Sequence, residues 1–140
     1  MNVKIHQLKT NEDKRGIVFE PIENESINTQ QNSHVVISKP GVIRGNHYHL
    51  RGTETLAVMG PALIRFKEAD EILDFEVPSE QVYKFEIPPK ITHAIKNIGE
   101  KDNILVAFNT VPHDPENPDV ISDILMDPLN VVGFIYPYHA

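Results

Sequence analysis

The chain has 140 residues, 40% of them hydrophobic, and a formal net charge of −7. That length suits one domain with a sizeable core, and the acidic balance argues against the basic footprint that nucleic-acid binding needs. The absence of cysteine excludes disulfides, thiolate metal sites and thiol nucleophiles.

No basic start leads into an apolar N-terminal run, and no apolar stretch approaches the ~20 residues of a membrane helix. A cytoplasmic protein that avoids membranes is expected. Eleven prolines and seven glycines cut the chain into short pieces. In chain order the β-rich runs are Val3–Gln7, Gly16–Pro21, His34–Ser38, Asn46–Leu50, Thr55–Met59, Ala62–Lys67, Glu71–Val77, Tyr83–Ile87, Thr92–Asn97 and Asn103–Val111. They carry the Val, Ile, Phe and Tyr of half-buried strands. Turn signals such as Lys39-Pro40-Gly41, Met59-Gly60-Pro61 and Pro88-Pro89 separate them. Roughly ten short strands at this spacing predict an all-β sandwich or barrel. One weak helix is expected over Asp119–Met126. The apolar, aromatic tail Val131–Tyr138 is expected to fold back or to pack on a partner, which favours a homodimer. The domain is read as a single unit over 1–140, with 112–140 as a C-terminal extension.

The chemistry concentrates in Arg44-Gly45-Asn46-His47-Tyr48-His49, followed by Glu54 and, far downstream, His93. Side chains alternate along a strand, so His47 and His49 share one face and Asn46, Tyr48 and Leu50 the other. On the next strand Glu54 shares parity with Leu56 and Val58, which belong in a core. A buried carboxylate is costly alone and is compensated by imidazoles or a metal. His93 shares its face with Ile95 and Asn97. Three imidazoles and a carboxylate suit a divalent ion such as zinc, iron, manganese or nickel, or acid–base chemistry near neutral pH. Either role is open to His47 and His49, but a metal-bound imidazole has no lone pair left to act as a base. His34, at the head of a strand, could approach the site but is assigned with His6, His113 and His139 to the surface, Tyr48 to packing, Tyr83 to the core or tail, and Asn97 to fixing the turn after its strand.

These residues carry a family resemblance. Gly41–Gly60 resembles the first cupin motif, with Gly41, His47, His49 and Glu54 in place. PPKITHAIKN resembles the second, with Pro88, His93 and Asn97 matching. The resemblance implies a jelly-roll (double-stranded β-helix) barrel. Two departures stand out. The Glu54–Gly60 spacing is one residue short, so counting back from Gly60 would select Thr53, whereas parity selects Glu54. Lys90 stands where the second motif has glycine, which usually supplies a positive-φ turn.

Within cupins, GVIRGNHYH and DKRGIVFE resemble segments of dTDP-4-dehydrorhamnose 3,5-epimerases, with His49 replacing their glutamine. RGNHYH also resembles dTDP-sugar 3,4-ketoisomerases, which use histidines as acid–base groups. The fullest likeness is to the C-terminal cupin domain of capsule-synthesis UDP-sugar epimerase/reductases, through KPGVIRGNHYH, ALIRF, IPPKITHAIKN and DPENPD. That resemblance implies a zinc-like ion held by His47, His49, Glu54 and His93. It also implies a nucleotide-sugar ligand met by Arg44, Arg15 and Glu20. The expected activity is epimerisation or isomerisation of a nucleotide-linked 4-keto sugar. A cupin that binds a metal or sugar without turnover, and a metal-dependent oxygenase, are the competing readings.

Overall fold

The computed structural model describes residues 1–127. It contains twelve strands and one short helix: β1 Lys4–Gln7, β2 Asn11–Asp13, β3 Gly16–Val18, α1 Asn24–Ile27, β4 Asn32–Ser38, β5 Ile43–His49, β6 Glu54–Met59, β7 Ala62–Glu68, β8 Glu71–Val77, β9 Val82–Ile87, β10 Thr92–Asn97, β11 Asn103–Asn109 and β12 Val120–Ser122. The expected strands therefore form, with ends moved by a few residues. The tail Val131–Tyr138 lies outside the described residues. Among the described residues no helix is long and apolar enough to cross a membrane.

Two five-stranded antiparallel sheets, ordered β1-β9-β6-β11-β4 and β12-β5-β10-β7-β8, face each other, and β2-β3 forms a separate hairpin. From β4 onward the chain alternates between the sheets, except at the β7–β8 hairpin. This is the jelly-roll arrangement. Leu56 and Val58 on β6, Ile64 and Phe66 on β7, Phe85 and Ile87 on β9 and Ile95 on β10 fill the space between the sheets. On β6, β7, β9 and β10 every second residue faces that core, as the pleat requires.

The helix expected over Asp119–Met126 does not form. Val120–Ser122 instead pairs with Tyr48 and its neighbours as the edge strand beside β5, and the Asp119 carbonyl accepts the Leu50 N–H at 2.8 Å. A two-turn helix has too few hydrogen bonds to offset its nucleation, whereas the open edge of β5 offers a ready ladder. The helix that does form, α1, was not anticipated.

A bulge in β5 decides which way the histidines point. The register steps from His47 opposite His93 to Gly45 opposite Ala94, so Asn46 is an extra residue, and Gly45 and Asn46 have φ of 87° and 58°. Side chains before and after the bulge exchange faces. Ile43 thus packs outward with Ala94 and Met126, while His47, four residues on, points inward beside His93. Asn46 points outward, as expected. Its side-chain oxygen accepts the N–H groups of Leu125 (2.9 Å) and Met126 (2.8 Å), and its amide donates to the Met126 carbonyl at 2.9 Å.

Candidate metal centre

His47 and His49 project from β5, His93 from the neighbouring β10, and Glu54 from β6 of the opposite sheet. All four are buried, at 1%, 8%, 0% and 3% exposure respectively. One ligand atom from each lies within 4.8 Å of the others. Glu54 occupies the inward parity with Leu56 and Val58, so the carboxylate at the site is Glu54. Thr53, its competitor by spacing, is half-buried and donates its N–H to Thr110 Oγ1 at 3.0 Å.

The second-motif turn survives without its glycine. Lys90 itself takes the left-handed conformation, with φ 68°, and its N–H donates to the His49 carbonyl at 2.7 Å. Asn97 fixes the following turn as expected. It donates to the carbonyls of Ser38 and Lys101 and accepts the Gly99 N–H.

The donor set fits a cation. His93 Nδ1 donates to the Ile91 carbonyl at 3.0 Å. A carbonyl can only accept, so Nδ1 carries a proton, and Nε2, which bears the lone pair whenever the ring is neutral, points at the cluster. Glu54 Oε1 lies 3.5 Å from that Nε2, and neither atom makes a hydrogen bond among the described residues. Two buried acceptors facing each other need a positive charge between or upon them. Zinc takes such ligands at about 2.0–2.2 Å, so small side-chain rotations would bring the four donors onto one ion.

His49 Nε2 contacts Glu54 Oε2. On its other side His49 Nδ1 lies 3.4 Å from Asp119 Oδ2 and 3.3 Å from Asn109 Nδ2. Burial works against charge on His49, but the Glu54 and Asp119 carboxylates outweigh it and the net shift is upward. Burial likewise opposes charge on Glu54, yet the His49 imidazole in contact with it and the neighbouring His93 hold its carboxyl well below the ordinary carboxylate value.

The other anticipated contacts are not drawn into this cluster. Arg15 sits on the β2–β3 hairpin, its side chain 85% exposed, paired with Asp13 at 2.5 Å. Glu20 is exposed. Arg44 faces inward opposite Ile95 and braces the β4–β5 corner through Ser38 Oγ (3.2 Å) and the Ile37 carbonyl (3.4 Å). His34 corrects the surface assignment: it is half-buried on the inward side of β4 with Val36 and Ser38, because strand parity and not position at the strand head sets its direction. Sequence reasoning missed Asn109 and Asp119. The only trace of Asp119 was its place in the DPENPD segment.

Residues 11–121 match the family model described as the polysaccharide biosynthesis C-terminal domain. The chain belongs to that family. Among curated members and relatives, it is 35% identical over 83 residues to a Pseudomonas aeruginosa UDP-2-acetamido-2,6-beta-L-arabino-hexul-4-ose reductase, covering 57% of this chain and 22% of that protein. It is 26% identical over 131 residues to the Haloferax volcanii "Probable low-salt glycan biosynthesis epimerase Agl13", covering 84% and 83%. The capsular polysaccharide assembling protein CapF of Staphylococcus aureus superposes with TM-score 0.64 at 32% identity, covering 86% of this chain and 33% of CapF. A double mutant of QdtA, a 3,4-ketoisomerase from Thermoanaerobacterium thermosaccharolyticum, in complex with TDP, superposes with TM-score 0.67 at 25% identity, covering 87% and 88%. The chain thus spans about a fifth of the reductase and a third of CapF. Its fold is the cupin jelly roll, and the proteins it resembles include a probable glycan biosynthesis epimerase and a 3,4-ketoisomerase.

Proposed function

We propose that this polysaccharide biosynthesis C-terminal domain is a metal-dependent cupin that epimerises or isomerises a nucleotide-linked 4-keto sugar. The observation that carries the proposal is the convergence of His47, His49, Glu54 and His93, with Glu54 Oε1 and His93 Nε2 facing one another as buried acceptors. A UDP-linked hexul-4-ose in the name of the P. aeruginosa relative and TDP in the QdtA complex support the substrate class. These four residues would hold the ion, and zinc fits the set best, with iron, manganese or nickel able to use the same ligands.

When bound, a divalent ion supplies electrostatic stabilisation of negative charge on a ketone oxygen. The chain's own residues then have three tasks. The four ligands would give their lone pairs to the ion, so His47 would not be the base, and the group that takes the proton α to the ketone would have to come from outside the set. The apolar walls from Leu56, Ile95 and Ile87 keep water from the interior. Arg15, Glu20 and Arg44 are the contacts offered to the nucleotide and sugar. A cytoplasmic location goes with this reading. Val35 and Ile37, 59% and 60% exposed on edge strand β4, give a second copy an apolar surface for a homodimer.

The test has two arms. Elemental analysis of protein purified without affinity-tag metal should return one divalent ion per chain. An empty centre in a folded protein would transfer His47 and His49 to acid–base roles. In D₂O, UDP- or dTDP-4-keto sugars should gain deuterium next to the ketone. Absence of exchange across a panel of both nucleotides would remove the isomerase reading and leave a binding module.

A further inference from the structure

The two neighbours of His49 Nδ1 make opposite demands on it. Asn109 Oδ1 accepts the Val111 N–H at 2.8 Å, which fixes the amide's orientation, so the Nδ2 group facing His49 can only donate. Asp119 Oδ2, 3.4 Å from the same nitrogen, can only accept when ionised. His49 Nδ1 can satisfy one of them at a time. Bonded to Asp119 it carries a proton and leaves the Nε2 lone pair for the cluster. Accepting from Asn109 it has no proton, and the neutral ring must then carry its proton on Nε2, towards Glu54.

Asp119 is itself held rigidly. Oδ1 accepts the Arg51 N–H at 2.8 Å and Oδ2 the Gly52 N–H at 3.0 Å. A Cβ on Gly52 would lie 2.2 Å from Asn109 Oδ1 and 2.9 Å from Asp119 Oδ2. Only a glycine lets the β5–β6 loop, Asn109 and Asp119 close around the outer edge of His49.

We infer that Asp119 is a positioning residue for the metal centre, holding the proton on His49 Nδ1 against the competing Asn109 amide so that Nε2 faces the ion. The inference rests on the metal reading and adds to it a residue outside the ligand set. Through Asp119, the segment leading into β12 becomes part of the centre. Carboxylates behind metal-bound imidazoles typically strengthen binding by ~10–100-fold.

The experiment compares wild type with Asp119→Asn, which keeps the shape and one acceptor oxygen for the loop N–H groups. Zinc affinity is read by competition with a chromophoric chelator at fixed pH. The His49 ring is read by ¹⁵N–¹H correlation in the zinc-loaded protein. The expected result is zinc binding weakened by about 10–100-fold, together with loss or displacement of a protected His49 Nδ1–H signal. Melting in chelator checks that the variant is folded. Should it not fold, Asn109→Asp in the same assays keeps the Val111 bond, removes the competing donor, and should bind zinc at least as tightly as wild type. Zinc affinity of Asp119→Asn within twofold of wild type with an unmoved His49 signal, or a tenfold loss in Asn109→Asp, overturns the inference. Failure of wild type to bind zinc, cobalt or manganese at all would instead remove the metal reading beneath it.

Discussion

Gly45 lies against the backbone of His93: a Cβ placed on it would sit 2.7 Å from the His93 carbonyl oxygen. Its φ of 87° is also one that side chains avoid. The bulge that turns His47 inward thus exists because β5 can approach β10 this closely. Gly45→Ala should lower stability by about 2–4 kcal/mol, from strain plus overpacking. Because the bulge is lost or shifted, metal binding should fall with it. Gly41→Ala serves as the control, since its φ is 80° but a Cβ there meets nothing within 4 Å. Equal melting temperatures and metal affinities for the two variants would refute the account of the bulge.

Lys90 holds a left-handed conformation that glycine adopts freely. Lys90→Gly should therefore stabilise the protein, by about 0.5–1 kcal/mol once the greater freedom of the unfolded glycine is counted. Thermal melting reads this directly. A destabilised variant would mean that the lysine side chain contributes more than the turn costs.

Glu54 is the only carboxylate among the four converging donors. Glu54→Gln keeps the volume and removes the charge. Zinc affinity should drop by at least about 100-fold, more than for a residue behind a ligand, and most of the melting-temperature rise given by added zinc should disappear. Retention of that rise would exclude Glu54 from the ligand set.

Stability without metal should depend on pH in a set direction. The Glu54 carboxyl is depressed, so its contribution is present above the ordinary carboxylate value and is lost as pH falls through the depressed one. The His49 imidazole is raised, so its contribution is present below the ordinary histidine value and is lost as pH rises through the raised one. In chelator, stability should peak between about pH 4.5 and 6.5 and decline on the alkaline side. Metal needs deprotonated imidazoles, so loading should move the peak to higher pH. Denaturant melts with and without chelator from pH 4 to 9 check this, and a flat chelator profile above pH 6 would contradict it.

Strand parity was legible from local patterning. Leu56 and Val58 placed Glu54 inward, and the His47–His49 pair followed from the two-residue repeat of a strand. Those readings hold because the alternation of a pleated strand is a local property of the backbone. Val120–Ser122 read as helix because its partner, the open edge of β5, lies some seventy residues earlier in the chain, beyond any local window.

By itself the sequence determined the all-β class, the strands of both sheets other than β12 and the identity of the four converging donors, since these depend on turn chemistry, β-propensity and side-chain alternation. Tertiary structure alone decided three things. The Gly45–Asn46 bulge reverses faces within β5 only because β10 lies alongside to impose the register. His93 directs its Nε2 inward only because the Ile91 carbonyl holds the other nitrogen. Asp119 reaches His49 only because β12 adds to the sheet edge and Gly52 leaves room. Each is a contact between backbones or side chains far apart in the chain, formed when the two sheets close, and together these contacts give four suitable residues a common point.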